Sequence, residues 1–209
     1  MTFEEIYRQF IQGIRATTLA EYIAVFAGIA SVWFSRLENI WVYPVGLIST
    51  IIYIFLSIDA HLYGEASVNL FYTIMSVYGW ILWLKKDKQQ HYVVHIAYSS
   101  SREWVQQLLF CVFCYVVIFF SLTWLKREFS PEAIPWADAF ASSTAFTGML
   151  LMARKKVESW YWWIATNIAS IPLYFVKNYV FTSVFYFILL VMAVFGMIEW
   201  QKRAKQKPL

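Results

Sequence analysis

Residues 38–86, ENIWVYPVGLISTIIYIFLSIDAHLYGEASVNLFYTIMSVYGWILWLKK, and residues 158–203, ESWYWWIATNIASIPLYFVKNYVFTSVFYFILLVMAVFGMIEWQKR, follow one plan. Each begins with a Glu and an aromatic cluster, runs through an apolar span and a short break, and ends a second span in Gly-x-x-x-Trp-x-Lys. Gly79, Trp83 and Lys85 correspond to Gly196, Trp200 and Lys202 at a single offset of 117. One register joins both matches, so the chain carries an internal duplication. Duplicated membrane spans are the mark of a transporter whose substrate sits between two halves.

The composition fixes the solvent. Hydrophobic residues make up 60% of the 209 positions and charged residues only 14%, against about 25% charged in a soluble domain. Continuous apolar runs of about 20 residues match a hydrocarbon core roughly 30 Å thick. They do not alternate with period two, which excludes a barrel. The windows fall near 17–35, 39–59, 66–84, 104–125, 136–153, 160–176 and 179–200. The expected fold class is therefore an all-α integral membrane protein with seven transmembrane helices. Before them, Phe3, Ile6, Tyr7, Phe10, Ile11 and Ile14 recur at helical spacing opposite Glu4, Glu5, Arg8, Gln12 and Arg15. That pattern predicts an amphipathic helix lying on the membrane surface, and its acids and broken apolar run do not suit a cleaved leader.

Seven spans divide as three, one, three. Two units of three helices would run in opposite directions, but the fourth span restores the sense. The two repeats, about 17–86 and about 136–202, are then parallel, joined by a linker helix at about 103–126, and the whole of 1–209 is one domain. Of the 17 Lys and Arg, Arg36, Lys85, Lys86, Lys88, Arg102, Arg154, Lys155, Lys156, Lys202, Arg203, Lys205 and Lys207 fall on one side. Arg8, Arg15, Lys126, Arg127 and Lys177 fall on the other. The positive-inside rule then predicts a multi-pass protein of the cytoplasmic membrane, N-terminus outside and C-terminus inside. Topology accounts for the net charge of +4, so no nucleic-acid partner is inferred; the partners are the bilayer and a small molecule, with homo-oligomerisation left open.

Small residues such as Ala24, Ala27, Gly28, Ala141, Ser143 and Gly148 mark close helix approaches. Pro44 and Pro172, inside equivalent spans, read as paired kinks that offer hinges. Cys111-x-x-Cys114 sits in the middle of an apolar span, where thiols are inert packing groups. On a helix, Asp87, His91 and His95 would share a face, yet two imidazoles in a polar linker do not close a metal site. Neither a metal nor a cofactor is expected.

The carboxylates all lie near the predicted span ends, and no lysine or acid occupies the middle of a span. Ion-coupled carriers usually place an ionisable group at depth, so this chain reads as a facilitated-diffusion carrier. The same absence removes the acid–base and nucleophile sets an intramembrane enzyme needs, and a seven-helix receptor would have no reason to repeat. At depth stand aromatic and amide groups. Trp160, Trp163 and Asn167, at i, i+3 and i+7, share a helical face suited to a flat heteroaromatic, and indole and phenol faces attract a cation without a buried acid. An amide at depth needs a partner, which draws in Asn69. The candidate substrate-binding set is Trp160, Trp163, Asn167, Asn69, Tyr72, Tyr43, Tyr53 and Tyr174. Trp83, next to Lys85 and Lys86, is expected to anchor at the interface, while Trp41 and Trp160 fit either the pocket or an aromatic belt at the interface.

Trp160-x-x-Trp163-x-x-x-Asn167 after Glu158, with Leu62-Tyr63 and Tyr78-Gly79-Trp80-x-x-Trp83, resembles the PnuC-type nicotinamide riboside transporters from about Leu19 to Lys202. The resemblance implies seven helices in a three-one-three order similar to full-length SWEET transporters. It implies uptake of nicotinamide riboside by facilitated diffusion, trapped by cytoplasmic phosphorylation. Asn69 stands where Gln is common in that family, and Ser49, a further site position by resemblance, where Asn is frequent. Thiamine and riboflavin, carried by other members, are the alternative substrates.

Overall fold

The computed structural model describes residues 2–59, 63–128 and 134–206; His61, Leu62 and Lys207 lie outside them. Eight helices form among the described residues: α1 Phe3–Ala16, α2 Leu19–Arg36, α3 Val42–Asp59, α4 Tyr63–Leu84, α5 Ser101–Glu128, α6 Pro135–Ala153, α7 Ser159–Val176 and α8 Val180–Gln206. Helix starts follow local chemistry. The Thr2 and Thr18 hydroxyls each accept from the amide three residues on, while Glu5 and Glu21 accept from the cap amides, so two orphan donors are satisfied at each end.

Five of these helices, α2, α3, α4, α5 and α8, are long and apolar enough to cross a membrane. Helices α6 and α7 fall short of that mark because their outer character is exchanged for packing. Ala139, Ala141, Ser143, Thr144, Ala145, Thr147 and Gly148 are buried along α6, and α7 buries Ser159, Thr166, Asn167 and Ser170. Small side chains let α6 touch α5, α7 and α4 at once, and their hydroxyls are absorbed locally, as where Thr147 donates to Ser143 O at 2.8 Å. Helices α2, α3 and α4 form one bundle and α6, α7 and α8 the other, meeting through α4–α6 and α2–α8 contacts. Helix α1 rests on the start of α8, Phe10 lying 5.9 Å from Phe181.

Two expectations, on Pro44 and on Trp83, are corrected, and the conditional helical reading of the linker is answered. Pro44 falls in the first turn of α3, where a missing N–H costs nothing; of the two, Pro172 alone lies in a helix interior, so they are not a matched pair of kinks. Residues 86–92 form a tight turn rather than a helix: Lys86 pairs with Tyr92, and the Asp87 carboxylate accepts from the Gln89 and His91 amides. That turn removes the helical spacing that would have aligned Asp87, His91 and His95. Trp83 is not an interface anchor but 3% exposed, because its indole N–H finds a carbonyl on α6. Trp41, by contrast, is 57% exposed.

Candidate functional site

The offset of 117 seen in sequence recurs in the contacts. Tyr43 presses its ring end on Gly79, where an added Cβ would stand 2.5 Å from the phenol; Trp160, 117 positions on, presses on Gly196 at the same 2.5 Å. Only glycine leaves room for either ring, which explains the Gly of each Gly-x-x-x-Trp. The Trp of that motif then crosses to the other half. Trp83 Nε1 donates to Ala153 O at 3.1 Å, and Trp200 Nε1 donates to Ser35 O and Arg36 O at 3.1 and 3.2 Å. Ala153 and Arg36 are themselves 117 apart. Four rings nest as a result, with Tyr43 edge-on to Trp83 at 5.1 Å, Trp160 edge-on to Trp200 at 5.6 Å, and Trp83 and Trp200 6.4 Å apart. Edge-to-face pairs of this kind add about 0.5–1.5 kcal/mol beyond their burial.

Above this floor lies a cavity of about 110 Å³, lined by Ser31, Val32, Ser35, Val42, Tyr43, Ser76, Met149, Met152, Trp160, Trp163, Asn167, Leu189 and Ala193. Val32 and Met149, Ser35 and Met152, Tyr43 and Trp160, and Ser76 and Ala193 are each 117 apart. The cavity therefore straddles the seam between the halves. Its lining contains no Asp, Glu, Lys, Arg or His. The halves contribute unequally: Ser31 approaches Gly46, whereas at the matching positions Gly148 makes way for Trp163, whose Nε1 lies 3.3 Å from where a Cβ would stand. The indole and the Asn167 amide thus line one side of the cavity and the serines the other. Tyr43 Oη and Trp160 Nε1 are buried without a protein partner.

Of the nine sequence-derived residues, Tyr43, Trp160, Trp163 and Asn167 line this cavity. Tyr72 stands behind Trp163 rather than among the lining residues, its ring 6.2 Å from that indole. Asn69 donates to Glu65 O at 3.0 Å within its own helix. Tyr174 stacks on Tyr186 at 5.1 Å and 15°, and Tyr53 is in electrostatic reach of the same Tyr186 and of Glu65. These three belong to the end of the molecule away from the basic loops. Ser49 lies between helices, its Oγ 3.3 Å from a Cβ built on Gly28. Ser31, Ser35, Ser76, Met149, Met152 and Tyr186 carried no signal as isolated residues. The offset was the available clue, since Tyr186 occupies the place of Asn69 and Met152 that of Ser35.

Comparison with known proteins agrees with this architecture. The model of the family described as nicotinamide mononucleotide transporter matches residues 18–202. The nicotinamide riboside transporter PnuC of Escherichia coli (strain K12) is 24% identical over 90% of this chain and 87% of its own length. A protein of the same name from Neisseria mucosa is 27% identical over 98% and 82%, and the riboflavin/roseoflavin transporter RibM of Streptomyces davaonensis 25% over 81% and 78%. The crystal structure of the vitamin B3 transporter PnuC superposes with a TM-score of 0.73 at 25% identity, covering 100% of this chain and 94% of that one. With its apolar spans, its neutral cavity between matched halves and a family match across nearly its whole length, the chain belongs to the nicotinamide mononucleotide transporter family, and is a membrane transporter rather than an enzyme.

Proposed function

We propose that this protein carries nicotinamide riboside into the cell by facilitated diffusion across the cytoplasmic membrane, trapping being left to a separate cytoplasmic phosphorylation. The observation that carries the reading is the neutral, aromatic and amide-lined cavity at the seam of the halves. A pyridinium ring is a flat cation: Trp163 offers it a π face, while the Asn167 amide suits its carboxamide and ribose oxygens. Two relatives named for nicotinamide riboside support the choice. The relative named for riboflavin makes that vitamin the second reading.

The same proposal includes the finer architecture. One domain holds two parallel repeats, 17–86 and 136–202, related by a pseudo-twofold axis along the membrane normal with α5 as the linker helix, seven crossings in all. Helix α1 lies in the outer interface. The basic loops face the cytoplasm, N-terminus outside. Tyr72 backs Trp163 at the pocket, and Asn69, Tyr53, Tyr174 and Ser49 act along the path that leads to it. Calorimetric titration of the purified protein with nicotinamide riboside, thiamine and riboflavin tests the substrate. Binding of riboflavin or thiamine in preference to nicotinamide riboside would overturn it.

A further inference from the structure

The floor of the cavity is thicker than a binding site requires. Along α4 the wall residue Ser76 is followed by Gly79 and Trp83, with Lys85 just past the helix end; along α8 Ala193 is followed by Gly196, Trp200 and Arg203. Seven residues from wall to tryptophan make about 10 Å of helix, filled by the Trp83 and Trp200 rings at 3% and 0% exposure. Below them Lys155 Nζ sits over the Trp83 ring at 4.5 Å and bonds Glu38 Oε1 at 2.7 Å. Arg203 joins Glu38 from α8 at 3.5 Å and donates to Leu37 O at 3.1 Å.

Glu38 and Lys155 occupy matching positions, 117 apart, as do Ser35 and Met152, which touch at 2.8 Å. Equivalent residues that meet each other lie on the seam itself. Both members of the ion pair are also in the left-handed backbone region, φ 59° and 53°. They close the same helix-ending motif, with Asn39 and Lys156 amides reaching Phe34 and Leu151 carbonyls at 2.9 Å in each half. Glycine or asparagine is the usual occupant of that place. A Glu and a Lys held there against their backbone preference, and paired with each other, point to a role beyond ending two helices.

We propose that the Glu38–Lys155 pair and the crossed Trp83 and Trp200 indoles form the gate that shuts the cavity toward the basic end, and that release requires the two halves to part along this seam. The gate rests on the reading of the chain as an alternating carrier. Each indole bonds a carbonyl of the opposite half, so both bonds break together when the halves separate, and the seam is a two-position element of the kind that switching needs. Lys155, 6% exposed, loses its counter-ion in the same movement and gains water.

The test uses the full chain with Cys111 and Cys114 replaced by Ala and a reporter thiol at the cavity wall, Ser76→Cys. Labelling by a membrane-impermeant maleimide is timed in vesicles with the basic end outward, verified by protease cleavage at the exposed 87–90 turn. Glu38→Gly and Lys155→Gly remove the pair and relieve the left-handed backbone, so they fold; each should raise the labelling rate at least about fivefold by shifting the population of open gates. Lys155→Arg keeps the charge and should remain within about twofold of the parent. Unchanged labelling in both glycine variants overturns the gate, as does Lys155→Arg opening as far as Lys155→Gly. Uptake that persists after Glu38→Cys/Lys155→Cys is fully bridged by a disulfide-containing bis-maleimide would also overturn it, the expected result being arrest reversed by reductant. Labelling needs no substrate, so a parent protein that labels as expected but does not bind nicotinamide riboside refutes the substrate and spares the gate.

Discussion

Gly196→Ala isolates the socket beneath Trp160. The new methyl would sit 2.5 Å from the far edge of the indole, about 1 Å inside normal contact, and that edge cannot slide sideways because Trp200 stands across it at 5.6 Å and 90°. The ring must swing toward the cavity it lines. Replacing a helical glycine by alanine gains about 1 kcal/mol of helix propensity, while overpacking a filled site costs about 1–3 kcal/mol. Stability should therefore move by no more than about 2 kcal/mol, whereas nicotinamide riboside affinity should fall at least about tenfold as the ring intrudes. Gly64→Ala is the control, since its nearest neighbour would be Leu122 at an ordinary 3.7 Å; it should keep parent-like affinity and be at least as stable as the parent. Calorimetric titration and thermal unfolding in detergent provide the readouts. Parent-like affinity in a folded Gly196→Ala protein would refute the claim that Trp160 is wedged between Gly196 and the ligand.

Further expectations follow from the same geometry. Trp163→Ala should lower affinity by about 1–2 kcal/mol with little loss of stability, whereas Trp83→Ala should cost about 3–5 kcal/mol of stability by emptying a buried site; equal unfolding temperatures for the two would count against this division. Binding should be flat between about pH 6 and 8, because no group lining the cavity titrates there; a calorimetric midpoint in that window would require an ionisable contact. Uptake into proteoliposomes should survive collapse of proton and sodium gradients, and uphill uptake that vanishes with either gradient would overturn facilitated diffusion.

What the sequence revealed depended on the length scale. Helices, the duplication and the Trp160, Trp163 and Asn167 face were legible because periodicity and offset are one-dimensional properties. Seven of the eight helices coincide with the expected windows, and the eighth with the amphipathic start. Trp83 was misread because a tryptophan beside lysines looks the same whether lipid or a neighbouring helix covers it; only the distant carbonyl of Ala153 decides. Pro44 was misread because helix α3 starts at Val42, three residues later than the apolar window suggested. Helices α6 and α7 fell short by hydropathy for the reason that makes them central, namely that polar and small side chains face protein. Ser49 and Asn69 followed from the resemblance and from the cost of a buried amide, and neither argument says which way a side chain turns.

The crossed tryptophans have a further consequence while the protein is being made. Trp83 leaves the ribosome 70 residues before its acceptor carbonyl in α6 exists, and the carbonyls of Ser35 and Arg36 wait 165 and 164 residues for Trp200. During that interval the first bundle is inserted with an indole lacking its receptor and a receptor lacking its indole. Consolidation must then come late and all at once, when α8 arrives, and a nascent chain stalled before Trp200 is the species that chaperones and membrane proteases would encounter.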